Sequence, residues 1–246
     1  MIPLSGPEIS SRKELALSGV IPFSTLDFPG VLSAVLFCQG CPWLCRYCHN
    51  PHLRSFSPQP YRDGWDWPRA RDLLVKRIGF LEGVVFSGGE PTAQPALADA
   101  IKEVRGMGYR VGLHTSGSYP KKLIPLLPLV DWIGLDIKAP LDFRYDLITG
   151  ISGSARPTRA SLEAIIASGI DYQIRTTVHP KLLSHLDLRE IEQQLTSIGA
   201  HTPVIQPFRA QGCQDPELVA DATTLNKEVD SAQRGVSLPE PLHRYQ

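Results

Sequence analysis

No stretch of the 246-residue chain stays apolar for the roughly 18 residues that a membrane-spanning helix needs, so none is expected. The first thirty residues also lack the compact basic, apolar and small-residue pattern of an export signal, and the expectation is a cytoplasmic protein. Neither sign of charge is in excess, with 25 Lys and Arg against 25 Asp and Glu. A broad electrostatic pull toward nucleic acid or an anionic membrane is therefore not expected, and a partner must be recognised by shape and local charge. Cysteine is scarce at five residues, yet four of the five fall at positions 38, 41, 45 and 48. In a reducing compartment such a cluster reads as metal-binding or catalytic before it reads as disulfides. Cys213 stands alone.

Apolar residues make up 42% of the chain, enough for one sizeable core, and the length is near the upper size for a single domain. One unit over residues 1–246 is expected, with a core at about 20–210. Residues 1–20 are mixed and mostly polar, and the last dozen carry Pro239 and Pro241 without a clear period, so both ends are expected to be peripheral.

Short apolar runs alternate with helix-favouring segments. Six candidate strands are Ala34–Phe37, Gly83–Ser87, Arg110–His114, Trp132–Asp136, Tyr172–Val178 and Pro203–Gln206. Helices are expected near 68–80, 94–107, 121–128, 158–169, 187–199 and 216–233, several of them entered from Ser, Asp or Pro. This alternation predicts an α/β fold with a parallel sheet, and continuously apolar strands need cover on both faces. An open doubly wound sheet and a partial barrel both satisfy that. In either, ligands bind where the carboxyl ends of the strands converge. The unusual residues gather there: Phe37 leads into the cysteines, Ser87 into Gly88-Gly89-Glu90-Pro91, His114 into Thr115-Ser116-Gly117, and Asp136 into Ile137-Lys138. Residues 50–67, with Pro51, Pro58, Pro60, Tyr61, Trp65 and Trp67, read as a long loop near the cysteines.

Thiolates select iron–sulfur clusters, zinc or copper(I). Using all four clustered cysteines would give two Cys-x2-Cys pairs only three residues apart, whereas zinc-ribbon knuckles stand roughly 15–20 residues apart. A ferredoxin run repeats a spacing of two and recruits a distant cysteine. The remaining register is Cys41-x3-Cys45-x2-Cys48. Three thiolates on a four-iron cluster leave one iron open, as catalytic sites require, while a closed zinc site would be structural.

Cys41-Pro-Trp-Leu-Cys45-Arg-Tyr47-Cys48-His49-Asn50-Pro51, with Thr25-Leu-Asp27-Phe28-Pro29-Gly30 before it, resembles the radical S-adenosylmethionine (SAM) superfamily and, within it, the glycyl-radical-enzyme activases. The branch it most resembles is the anaerobic ribonucleoside-triphosphate reductase activating proteins. The resemblance implies a partial six-stranded (β/α) barrel and a 4Fe–4S cluster held by Cys41, Cys45 and Cys48. It implies reductive cleavage of SAM to methionine and a 5′-deoxyadenosyl radical, which takes hydrogen from a glycine of a partner enzyme. Such activases lacking an inserted ferredoxin-like domain draw electrons from a separate flavodoxin or ferredoxin, and this chain has no cysteines for such an insert.

The same resemblance implies cofactor contacts at Tyr47, Gly88, Gly89, Glu90, Thr115, Asp136, Lys138, Arg175 and Arg209. Gly88-Gly89-Glu90 would meet the cofactor's ammonium, Asp136 and Lys138 its methionyl end, and Arg175 its carboxylate by a bidentate grip. Arg209 replaces a residue that is often histidine in related activases. His114 stands where those proteins place an aspartate that helps hold a cation, and histidine is a poor alkali-ion ligand. Cys38 reads as a packed core thiol. Two other functions compete: a radical SAM enzyme acting on a small molecule, of the 7-carboxy-7-deazaguanine synthase type, and a structural zinc module.

Overall fold

The computed structural model describes residues 14–57 and 64–221. Seven strands form one sheet in chain order: β1 Leu17–Ser24, β2 Ser33–Cys38, β3 Gly83–Gly88, β4 Arg110–Thr115, β5 Trp132–Asp136, β6 Asp171–Val178 and β7 Val204–Pro207. β2 to β7 are parallel, and β1 runs antiparallel to β2 at one edge. The connecting helices are α1 Trp67–Lys76, α2 Leu97–Gly106, α3 Pro120–Leu123, α4 Phe143–Thr149, α5 Ala155–Ser168, α6 His185–Ser197 and α7 Pro216–Ala220. No helix among the described residues is long and apolar enough to cross a membrane.

The six expected strands are the six parallel ones, but the sheet has a seventh. β1 lies partly in the N-terminal segment expected to be peripheral. Gly19 and Pro22 interrupt its sequence and three consecutive residues, Ile21 to Phe23, are exposed, so it carries no clean alternation. Pro is tolerated there because the strand is an edge. α4 was also not anticipated. It is only seven residues long, capped by the Asp142 side chain and ended by Gly150 at φ 69°, so it spans too few turns to show a helical period. Of the helix expected at 216–233, Pro216–Ala220 is helical, and the portion past residue 221 lies outside the described residues. The 50–67 segment opens with a single turn at Pro51–Leu53, and its Pro58, Pro60 and Tyr61 also lie outside them.

Two cores flank the sheet. The larger lies between sheet and helices and includes Leu36, Phe86, Ile101, Leu113, Ile133, Leu162 and Ile174. The smaller lies on the inner face and comprises Phe28, Val31, Val35, Val85 and Trp132. Phe28, 1% exposed, stacks on Trp132 with ring centroids 5.6 Å apart, and the Arg110 guanidinium lies 5.0 Å from its ring. The Asp27-Phe28-Pro29-Gly30 turn thus plugs the inner face. With side chains alternating along each strand, residues of β4, β5 and β6 nearer the carboxyl ends are left above this plug to line a polar site.

Candidate functional site

The cysteine loop follows β2 and is held by its backbone. Gly40 N–H donates to Leu53 O (2.7 Å), Cys41 N–H to Arg54 O (3.1 Å), Leu44 N–H to Thr149 O (2.8 Å) and Arg46 N–H to Ile148 O (3.2 Å). Cys48 N–H closes a turn onto Cys45 O at 3.1 Å. The end of α4 is therefore the bed on which Cys45 lies. Gln39 Nε2 donates to His52 O and Ser55 O, fastening the far side of the loop.

Gly88 and Gly89 bring the loop after β3 against this one. A Cβ at Gly88, whose φ is 119°, would lie 2.3 Å from Cys38 N, and one at Gly89 would lie 2.4 Å from Gly40 O. In their place Gly89 N–H donates to Cys38 O (2.9 Å) and Glu90 N–H to Gly40 O (2.8 Å). The close approach that these glycines permit is between two segments of the protein's own backbone.

Glu90 is fully buried. Its Oε1 accepts from Thr92 N–H, Thr92 Oγ1 and Thr115 Oγ1 (2.8 Å), and its Oε2 from Ser116 N–H (2.8 Å) and Ser116 Oγ. Five donors occupy the acceptor capacity of one carboxylate. Glu90 and Thr115 thus clamp the β3 and β4 loops together, and neither points a free group at a ligand.

A charged group lies on the neighbouring strands. Arg175 Nε and Nη2 both reach Asp136 Oδ1, at 3.1 and 3.0 Å, and Lys138 Nζ is 3.5 Å from Asp136 Oδ2. The Arg175 and Lys138 side chains are 12% and 11% exposed, while that of Asp136 keeps 37%. Burial alone would push the Asp136 carboxyl up, but Arg175 and Lys138 outweigh it and hold it below its ordinary value. Burial works against the Lys138 ammonium, yet Tyr47, Asp136 and Cys45 raise it well above its ordinary value. Lys138 also lies 5.7 Å from the Tyr47 ring and 5.9 Å from that of Trp43, and Tyr145 Oη accepts from its backbone N–H. Two cations share one carboxylate here, which leaves positive charge for an anionic ligand group.

His114 completes this wall. Its Nε2 lies 2.8 Å from Asp27 O and its Nδ1 3.2 Å from Ser87 Oγ. A carbonyl only accepts, so Nε2 carries the proton and Nδ1 accepts from Ser87. Burial, with Arg175 beside it, pushes the ring down to about 4 and keeps it neutral. Arg175 Nη1, 3.2 Å from Nε2, then faces another donor, and its hydrogens remain available to a ligand.

A further contact closes the corner between the first and last parallel strands. Arg209 N–H donates to His49 Nε2 (3.3 Å), Cys213 Sγ lies 3.5 Å from Arg46 O, and Arg46 pairs with Asp215 and Glu217. The Arg209 side chain is exposed, so this residue meets the cysteine loop through its backbone. Sequence reasoning missed this staple, as it missed Tyr145, Trp43 and Gly134. Gly134 alone left a signal, a glycine inside a strand.

All five cysteines are free thiols. Burial pushes Cys41 and Cys45 up, and Lys138 partly opposes it. Among the described residues, no three Cys, His, Asp or Glu side chains are drawn together tightly enough to hold a single ion. Thiols kept protonated by burial become ligands when a metal charge draws the proton off, so site assembly and metal binding are coupled. Arg54, whose carbonyl accepts from Cys41 N–H, has its Nε buried with no hydrogen-bond partner. Cys38, fully buried in the core at the end of β2, is pushed up by burial and by Glu90. Three thiols on one loop, a neighbouring cation and an unused donor fit a cluster better than a closed four-thiol zinc site.

Comparison with known proteins agrees with this arrangement. The family model described as the radical SAM superfamily matches residues 35–193. A protein of Methanocaldococcus jannaschii assigned to the glycyl-radical enzyme activating enzymes is 26% identical over 213 residues, covering 82% of this chain and 83% of its own. The pyruvate formate-lyase-activating enzyme of Clostridium pasteurianum is 32% identical over 181 residues, covering 70% and 71%. Among solved structures, SuiB of Streptococcus suis bound to its precursor peptide superposes with a TM-score of 0.59 at 16% identity, over 83% of this chain and 46% of that one. TYW1 with a lysine–pyruvate adduct superposes with a TM-score of 0.56 at 15% identity, over 84% and 76%. These two likenesses are of fold, and with them the seven-stranded, mostly parallel sheet fits a partial barrel. With its family model matched over more than half its length and its thiols, cations and strand ends gathered at one edge, the chain belongs to the radical SAM superfamily, whose members use a 4Fe–4S cluster and SAM.

Proposed function

We propose that the protein is a glycyl-radical-enzyme activase and that its partner is an anaerobic ribonucleoside-triphosphate reductase. The observation that carries the reading is the convergence of the Cys41–Cys48 loop, the Gly88-Gly89-Glu90 turn and the Asp136–Lys138–Arg175 group at one end of the sheet. The names of two relatives, a glycyl-radical enzyme activating enzyme and a pyruvate formate-lyase-activating enzyme, support the activase class. The context of Asp27-Phe28-Pro29-Gly30 and His49-Asn50 supports an activase over a small-molecule enzyme, and the reductase branch is the one the cysteine loop most resembles.

Cys41, Cys45 and Cys48 are the cluster ligands in this reading. Arg175 and Lys138 receive the carboxylate of SAM, Asp136 faces its ammonium, and Tyr47 packs beside Lys138 at the methionyl end. Gly88, Gly89, Glu90 and Thr115 hold the loops in place around the cofactor, and Arg209 fixes His49 at the rim. When bound, the reduced cluster and SAM supply the 5′-deoxyadenosyl radical that takes hydrogen from the partner's glycine. Electrons come from a separate flavodoxin or ferredoxin, and no nucleic acid or membrane takes part.

The test is electron paramagnetic resonance of candidate partner enzymes mixed anaerobically with the reconstituted, reduced protein and SAM. A doublet glycyl signal on the reductase is the expected result. Deoxyadenosine formed with no glycyl radical on any partner would overturn it in favour of a small-molecule substrate. Colourless protein that holds zinc tightly and leaves SAM intact would overturn the cluster assignment itself.

A further inference from the structure

Two cations around the cysteine loop are already engaged. Lys138 has Asp136, and Arg46 has Asp215 and Glu217. Arg54 forms no ion pair among the described residues, and its Nε is buried without a hydrogen-bond partner. A guanidinium donor removed from water and left unpaired is costly, and native proteins seldom retain one without a counterpart.

The position of Arg54 is built with some care. It ends the Pro51–Leu53 turn, its N–H donates to Pro51 O (3.2 Å), and its carbonyl accepts from Cys41 N–H (3.1 Å). Gln39 Nε2 ties the residues on either side, through His52 O and Ser55 O, and Gln39 O in turn accepts from Gln94 Nε2 (2.6 Å). The backbone from which the side chain springs is therefore fixed to one expected ligand, Cys41. A four-iron cluster on three thiolates carries a net negative charge that grows on reduction, and hydrogen bonds and positive charge near its sulfurs raise its potential.

Resting on the proposed ligation by Cys41, Cys45 and Cys48, we infer that Arg54 is the cluster's counter-cation, a positioning residue whose Nε–H donates to sulfur of the bound cluster or its thiolates and favours the reduced state.

The experiment is a redox titration of the reconstituted wild type, Arg54→Gln and Arg54→Lys, with iron content measured on each and the reduced cluster followed by electron paramagnetic resonance. Arg54→Gln should keep its iron and shift the reduction equilibrium at least tenfold toward the oxidised cluster, 59 mV for a one-electron couple. Arg54→Lys, which keeps the charge and loses the fork, should shift it less in the same direction. If Arg54→Gln fails to hold iron, the Arg54→Lys shift alone carries the test. Unchanged equilibria in the iron-loaded variants would overturn the assignment, and so would loss of the cluster from both, which would make Arg54 a loop-holding residue. A wild type that takes up no cluster would instead fail the ligation on which the assignment rests.

Discussion

Gly134 makes room for Arg175. A Cβ at position 134 would lie 2.9 Å from Arg175 Cζ, 2.9 Å from Trp132 Cη2 and 3.0 Å from His114 Cδ2. The missing side chain on β5 is what lets a guanidinium from β6 and an imidazole from β4 meet over the strand between them. Gly134→Ala should therefore displace Arg175 from Asp136. Calorimetric titration with SAM is expected to show at least tenfold weaker binding, and urea denaturation a loss of about 1–3 kcal/mol, the usual cost of overpacking. Unchanged binding would separate Arg175 from the cofactor site.

Glu90→Gln should act on stability before it acts on chemistry. The amide replaces one acceptor oxygen by an NH2 group that faces donors already committed to the carboxylate. About 2–4 kcal/mol of unfolding free energy should be lost, measured by chemical denaturation, because buried donors are left unpaired. A variant as stable as wild type would mean that the clamp between the two loops is held by other groups.

The His114 ring should make the fold acid-sensitive in a defined window. Its folded value is about 4, below the ordinary 6.5, so between those values the unfolded chain binds more protons than the folded one. Stability then rises with pH across the window and falls as pH drops through it, by about 3 kcal/mol in all if the ring alone titrates. Urea midpoints from pH 7 to pH 4 should fall more steeply for wild type than for His114→Gln, whose side chain cannot titrate. Parallel curves would rule this out.

The cysteines should divide by position. Cys45→Ala is expected to lose most of its iron and all SAM cleavage, whereas Cys38→Ala should keep both and lose about 1–2 kcal/mol of stability for a buried sulfur removed from the core. Iron analysis and deoxyadenosine assay of the two variants check this. Cleavage surviving in Cys45→Ala would contradict the ligand assignment.

Much of the fold was legible because its parallel strands are short runs of Val, Ile, Leu and Phe between helical periods, as a sheet covered on both faces requires. β1 was not, because a half-exposed edge strand has no such run, and α4 was not, because seven residues hold too few turns. At the site, the three-cysteine register, the Gly-Gly-Glu turn and Asp136-x-Lys138 stood out as local motifs. The Asp136–Arg175 pair, 39 residues apart, and the Asp27–His114 contact, 87 apart, left no such trace. They exist only once β4, β5 and β6 lie side by side. Glu90 shows the limit of motif reading, since its place was recognisable while its five donors, on Thr92, Thr115 and Ser116, were not.

The staple from Arg209 to His49 also sets an order of events in biosynthesis. The two residues are 160 apart, and Arg46 and Asp215 are 169 apart, so the cysteine loop leaves the ribosome long before the segment that fastens it. At the usual 5–20 residues per second that interval is roughly ten to thirty seconds. Through all of it the three thiols are without that clamp, and the finished corner forms only after β7 and the residues that follow it to Asp215 have been made. Cluster insertion into the closed loop is thereby a step for the completed chain, and a nascent or truncated one offers the same cysteines without their final enclosure.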